Sequence, residues 1–170
     1  GLTQSMDAVS LGWSRMTYAA DTGAVLHTTT SGGNVYAIPS GYADAVKQLQ
    51  ANGCQLNLSV FMDNNGGALA ALLADANGRS QAVQAILTEA TRMYEDLGSS
   101  PYTGVTIDFE GLAGSTNKAN FTAFLQALSR QLQAKNLRLA VAVMPATADG
   151  AYYNGYDYRA IGDLADKVIL

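Results

Sequence analysis

Two carboxylates at alternate positions in one segment are the first residues that could do chemistry. The run is Tyr102-Thr103-Gly104-Val105-Thr106-Ile107-Asp108-Phe109-Glu110-Gly111-Leu112. Its apolar residues alternate with small or polar ones, which predicts a strand. Side chains of a strand point to opposite faces in turn. Val105, Ile107 and Phe109 therefore share one face, and Gly104, Thr106, Asp108 and Glu110 share the other. A parallel sheet normally covers both faces with apolar residues. Here one face carries a hydroxyl and two acids in register, with the two acidic Cα atoms about 6.6 Å apart. Burying two like charges together is costly, so one of them tends to keep a proton. A carboxyl protonated near neutral pH can serve as a general acid. Asp108 and Glu110 also fall at the C-terminal end of the strand, where barrels and open α/β sheets place their active sites. The competing reading is that the strand frays after Ile107, leaving both acids solvated or capping the next helix.

Other chemistries find little material. His27 is the only histidine and Cys54 the only cysteine. They are far apart in sequence, and His27 lies in the polar stretch from Tyr18 to Gly33, where it reads as a surface loop residue. A Ser-His-Asp triad, a Cys-His dyad and a zinc site are thus unsupported, and no metal ligand is assigned. No glycine-rich phosphate loop occurs, and Gly32-Gly33 and Gly66-Gly67 read as turns. The chain has 170 residues, 10 basic and 14 acidic, for a net charge of -4. That excludes a general nucleic-acid binder working through a basic face. No apolar run approaches the roughly 20 residues of a membrane span.

The elements that must position the carboxylates follow from periodicity. Strands are expected at Ala8–Trp13, Asn34–Ile38, Gln55–Phe61, Gly104–Phe109, Leu137–Met144 and Lys167–Leu170. Helices are expected at Tyr42–Asn52, Ser80–Leu97, Asn117–Lys135 and Tyr158–Ala165, and Tyr18–Gly33 is read as a small hairpin or an excursion. Strands alternating with helices predict right-handed βαβ units and a parallel sheet. The missing phosphate-binding turn weakens an open doubly wound sheet. The fold class expected is α/β, a (β/α)8 TIM barrel. A complete barrel takes about 250 residues, so residues 1–170 are expected to form a single incomplete barrel domain of five to six βα units. The Gly start, the absence of a basic and apolar leader, and the end within Lys167-Val168-Ile169-Leu170 read as a piece cut from a longer chain. Such a piece would leave strand edges bare, an invitation to self-association.

The segment Gly104-Val105-Thr106-Ile107-Asp108-Phe109-Glu110 resembles the fourth-strand signature D-G-x-D-x-D-x-E of glycoside hydrolase family 18, the chitinase-like barrels. Further segments resemble, in order, a bacterial subgroup linked to spore germination and cell-wall lysis. They are Ser10-Leu11-Gly12-Trp13-Ser14-Arg15-Met16 (its first strand), Leu58 to Asn64 (its third), Ala140-Val141-Ala142-Val143-Met144-Pro145 (its fifth), and Tyr156 to Gly162 with Ala165 to Leu170, approaching its sixth. The resemblance implies that Glu110 is the proton donor. It implies that Asp108 orients the 2-acetamido group of an N-acetylglucosamine-containing polysaccharide, with no cofactor. It implies an extracellular, cell-envelope or spore-coat location. Thr103 and Thr106 stand where the signature has its first two acids, which implies slower catalysis or a different pH range. The family's sixth-strand motif, with its substrate-supporting tyrosine, would follow Leu170; without it the isolated chain is expected to hydrolyse poorly. Thr106, Trp13, Met144 and Tyr102 are the candidate substrate contacts. Trp13, the only Trp, is the foremost candidate for stacking on a sugar, and Met144 is expected to line the barrel. Packing is the alternative for Trp13 and Tyr102, and for the cluster Tyr152, Tyr153, Tyr156 and Tyr158. A rival reading is a glycan-binding, lectin-like barrel without hydrolysis. The presence of Glu110 argues against it.

Overall fold

The structure is a computed structural model that describes residues 8–144 and 153–170. Six strands form one sheet: β1 (Ala8–Ala19), β2 (Gly23–His27), β3 (Gln55–Met62), β4 (Gly104–Phe109), β5 (Arg138–Ala142) and β6 (Lys167–Ile169). The spatial order is β2-β1-β3-β4-β5-β6. From β1 through β3, β4 and β5 to β6, each strand lies parallel beside the one before it. Among these five parallel strands the order never reverses, so the described residues hold no doubly wound switch point. Five consecutive parallel strands are part of a barrel wall. Nothing among the described residues supports the self-association expected from bare strand edges.

The helices are α1 (Tyr42–Ala51), α2 (Ala68–Ala74), α3 (Ala76–Thr91), α4 (Ser115–Ala134) and α5 (Tyr158–Leu164). Phe121, Phe124, Leu125, Leu128 and Leu132 form the fully buried stripe of α4. Phe109 of β4 stacks on Phe124 with ring centroids 5.3 Å apart and tilts against Phe121 at 5.9 Å. The apolar face of β4 therefore meets helix, as its alternation requires.

The opposite face carries a polar layer in which Asn57 and Thr106 are buried and Ser10 is exposed. Ser10 of β1, Asn57 of β3 and Thr106 of β4 meet there. The Ser10 and Thr106 hydroxyls are 2.8 Å apart, and Asn57 Nδ2 donates to Thr106 Oγ1 at 3.2 Å. Gly104 makes room for this layer, since a Cβ on it would lie 2.7 Å from both Asn57 Oδ1 and the Arg138 carbonyl oxygen.

Beyond the first strand, which runs on past the expected end at Trp13 to Ala19, three expectations about elements need correction. Residues Asn34–Ile38 form no strand, and Val35 is 83% exposed. Asn34 captures the backbone instead. Its Nδ2 donates to the carbonyls of Thr29 (2.9 Å) and Tyr36 (2.6 Å), and its Oδ1 accepts from Tyr36 N–H (3.2 Å). Such local bonds compete directly with a sheet ladder. The additional strand is β2, antiparallel to β1 within the hairpin between Tyr18 and Gly33. Second, the helix expected at Ser80–Leu97 runs from Ala76 to Thr91. Asp75 caps its start by accepting Asn77 N–H at 3.0 Å, and Tyr94 leaves the helix to bridge Ser99. Third, α2 had no counterpart among the expected helices. It is two turns of Ala and Leu, too short to show a period, yet Leu69, Leu72 and Leu73 are fully buried.

Candidate active site

Asp108 is the last residue of β4 paired to β5, opposite Ala142, and Phe109 pairs with Met62 of β3. Glu110 follows directly. Its N–H donates to the Met62 carbonyl at 2.9 Å, which extends the ladder one step past the strand. At Gly111 the backbone takes φ +82, a left-handed conformation glycine adopts without strain. Asn64, just past β3, fastens this turn: its Nδ2 donates to the Gly111 carbonyl at 3.3 Å, and its Oδ1 accepts Ala70 N–H at 2.9 Å.

The two carboxyls are close enough to act on one another's ionisation and are both partly buried. Burial pushes the Asp108 carboxyl above its ordinary range, and the hydrogen bond from Glu110 offsets part of that rise. Burial also raises Glu110, followed by the negative charge of Asp108, the hydrogen bond with Asp108, and the charge of Asp63. Two acids driven upward at a strand's C-terminal end are equipped to hold one proton between them. Two clefts flank Glu110. One, of about 240 Å³, is walled by Asp63, Asn64, Asn65, Gly111 and Met144. The other, of about 190 Å³, runs past Asp108 and Met144 to Ile169 and Leu170. Met144 thus borders both. Its carbonyl accepts the Tyr158 hydroxyl at 2.8 Å. Among the described residues, no three His, Cys, Asp or Glu side chains converge in a metal-binding group.

Thr106 lies below the carboxylates on the same face. Its partners among the described residues are Ser10 and Asn57, in the polar layer. Trp13 and Tyr102 lie elsewhere. Tyr102 lies two residues before β4, beyond the end of the strand opposite to Asp108. The Trp13 indole N–H donates to the Tyr102 hydroxyl at 2.7 Å, and that hydroxyl meets the Tyr94 hydroxyl, which in turn bonds Glu89 at 3.0 Å. Trp13 also packs edge-on against Tyr42. Both residues are buried, at 8% and 6% exposure. Their polar atoms are satisfied inside the protein, so the packing alternative holds and the sugar-stacking expectation does not. Of the later tyrosines, Tyr156 is buried core, and its hydroxyl donates to the Phe109 carbonyl at 2.7 Å. Tyr152 and the side chain of Tyr153 lie outside the described residues, as does Pro145.

Sequence reasoning missed Asp63, Asn64 and Arg15. Asp63 faces Glu110 across the first cleft and pairs with Arg15 at 3.8 Å. The signal was available. Asp63-Asn64-Asn65 is a polar run directly at the C-terminal end of a parallel strand, the location that singled out Asp108 and Glu110.

Solved structures with this fold include a chitinase from Chromobacterium violaceum, which is 27% identical and superposes with a TM-score of 0.69 over 95% of this chain and 47% of that one. A class V chitinase from Pseudomonas fluorescens is 24% identical, with a TM-score of 0.71 over 95% of this chain and 45% of that one. The spore cortex-lytic enzyme SleL of Bacillus megaterium is 25% identical, with a TM-score of 0.60 over 74% of this chain and 29% of that one. The chain thus spans less than half the length of the proteins it resembles. No curated protein sequence matches it. The family model for glycosyl hydrolases family 18 matches residues 24–170, which include β3 through β6 and both carboxylates. By that match, and by a parallel sheet bearing an acid pair at the end of β4, the chain belongs to glycosyl hydrolases family 18.

Proposed function

We propose that the protein is a glycoside hydrolase that cleaves β-linked N-acetylglucosamine-containing glycans by substrate-assisted, retaining catalysis. The observation that carries this reading is the Asp108–Glu110 pair at the end of β4, partly buried and raised in pKa, with Glu110 bordering two clefts. In this mechanism the substrate's own 2-acetamido oxygen attacks the anomeric carbon, so no enzymic nucleophile is needed. Glu110 protonates the leaving glycosidic oxygen and then takes a proton from the incoming water. Asp108 orients the acetamide N–H and stabilises the positive charge on the cyclic intermediate. Met144 and the Asp63–Asn64 wall shape the space on either side. The glycan favoured is peptidoglycan or spore cortex, with chitin second, on the resemblance of the ordered strand segments. That substrate carries with it a location at or outside the cell envelope.

The test is incubation of the full-length protein with purified peptidoglycan and with chitooligosaccharides, followed by mass spectrometry of the products. Release of fragments with a retained β-anomer, seen by NMR at early times, supports the reading. An intact polymer after exhaustive incubation refutes it. A second reading, a glycan-binding barrel without hydrolysis, draws on Thr106 standing in place of a signature acid. It requires binding of the same glycans with no product.

A further inference from the structure

The peptide unit joining Phe109 to Glu110 is held from both sides. In a planar trans peptide the C=O and N–H point in opposite directions across the strand. The N–H of Glu110 points toward β3 and donates to the Met62 carbonyl at 2.9 Å. The carbonyl of Phe109 therefore points toward β5, but the β4–β5 ladder has already ended at Asp108 and Ala142. A buried carbonyl at that place needs a donor. The Tyr156 hydroxyl supplies it, at 2.7 Å.

Tyr156 is built to stay where it is. It is 2% exposed, its ring meets Phe121 edge-on at 5.7 Å, and Phe121 is part of the aromatic stack on Phe109. The two residues before it grip the same loop further on. Gly155 lies so close to Leu112 that a Cβ would collide with the Leu112 carbonyl, and Asn154 Oδ1 accepts Gly114 N–H at 2.9 Å. Three successive residues thus fasten the segment from Phe109 to Gly114, and Tyr156 fastens the point closest to the carboxyl.

We infer that Tyr156 is a positioning residue for Glu110: its hydroxyl replaces the missing ladder bond and fixes the peptide plane from which the Glu110 side chain is aimed at Asp108 and the clefts. This inference rests on the proposed role of Glu110. A tyrosine hydroxyl in this place does what an extra residue of β5 would do, while leaving the strand end open as a cleft.

The experiment uses Tyr156→Phe in the full-length protein, which keeps the ring and removes only the hydroxyl. A displacement of about 1 Å at a reacting group can cost about a hundredfold in rate. The expected result is a fall in kcat on a chitooligosaccharide of about 10- to 100-fold, with KM within about twofold. Leu128→Val, in the α4 core, serves as a variant of comparable stability loss and is expected to keep kcat within about twofold. A second readout does not depend on turnover: titration of the Glu110 carboxyl by carbon-13 NMR. Glu110 is surrounded by Asp108, Asp63 and the Tyr156 phenol. Loosening it from Asp108 and from its buried position should move its midpoint down toward the ordinary carboxylate range in Tyr156→Phe. If kcat is unchanged and the titration does not move, the inference is overturned. If kcat falls equally in the Leu128→Val control, it is overturned as well. If the wild-type protein cleaves no glycan, the hydrolase reading fails, and the titration alone decides the positioning role.

Discussion

Replacing Glu110 by Gln isolates the proton that the proposed mechanism depends on. Glutamine has the same shape, and its amide can donate to Asp108 in place of the carboxyl. The backbone bond from residue 110 to Met62 and the Asn64 bond to Gly111 do not involve the side chain. Fold and ground-state geometry should therefore survive. What disappears is the ability to protonate a leaving alkoxide. General acid catalysis contributes about 10²- to 10⁴-fold, which corresponds to about 3–5 kcal/mol of barrier. The upper part of that range is expected here, because burial and Asp108 both hold Glu110 toward its protonated form. The assay is kcat and KM on a chitooligosaccharide, with the dissociation constant of the same glycan measured by calorimetry. The expected result is a loss confined to kcat, with binding within about threefold. A second substrate sharpens the test. A 4-nitrophenyl glycoside releases a leaving group that needs little protonation, so its rate should fall by less than about tenfold. If Glu110→Gln keeps more than a tenth of the activity on the oligosaccharide, the residue is not the general acid. If binding collapses in parallel with rate, its role is in holding the glycan or the fold.

Asp108→Asn should raise Tm at pH 7 by a few degrees, with no gain at pH 3. A carboxyl raised in the folded state binds its proton more tightly there, so its ionisation lowers stability as pH climbs from the unfolded carboxylate range through the folded value. Thermal scans at both pH values check this, and a loss of Tm at pH 7 would contradict the direction. Gly104→Ala should lose about 1–3 kcal/mol in urea denaturation, because the new methyl meets Asn57 and a main-chain carbonyl of β5 at once. Trp13→Phe should cost about 1 kcal/mol or more of stability by removing the donor to Tyr102, with KM for chitooligosaccharide unchanged. A tenfold rise in KM would return Trp13 to the cleft.

The strand that carries the acids was legible to the residue, Gly104 to Phe109, because its alternation is strict and its neighbours break it cleanly. Helices α4 and α5 were legible to within two residues at each end from their apolar faces, although α4 begins at Ser115 with Gly114 at its N-cap and no side-chain cap. Two of the misreadings share one cause. Asn34-Val35-Tyr36-Ala37-Ile38 has better strand composition than Gly23-Ala24-Val25-Leu26-His27, yet the second is the strand. Composition measures what a side chain prefers, and Asn34 decides the matter by bonding the backbone first. The aromatics fail in the same way. A lone Trp expected at a strand end looks like a sugar platform until the strand runs on to Ala19 and its N–H is found donating to a buried tyrosine.

The carboxylates were legible because an acid on the inner face of a parallel strand has no packing explanation. The rest of the site was not, because its logic is tertiary. Asn64, Gly111 and Tyr156 are unremarkable types in sequence, and they matter only because the chain brings them against one peptide unit and the turn after it. Thr106 shows the same dependence on context. At that position the family signature has an acid that shares charge with the next one along. The Thr106 hydroxyl accepts from Asn57 and pairs with Ser10. It thereby closes the polar layer beneath the site, and the acid that acts on Asp108 is Glu110. On the proposed reading the proton economy of the reaction rests on that one pair. On this reading the Thr106 hydroxyl takes up no charge from Asp108, so the accuracy with which Glu110 is held carries more of the catalysis. The double fastening of its peptide, by Met62 on one side and Tyr156 on the other, is the feature such a site requires.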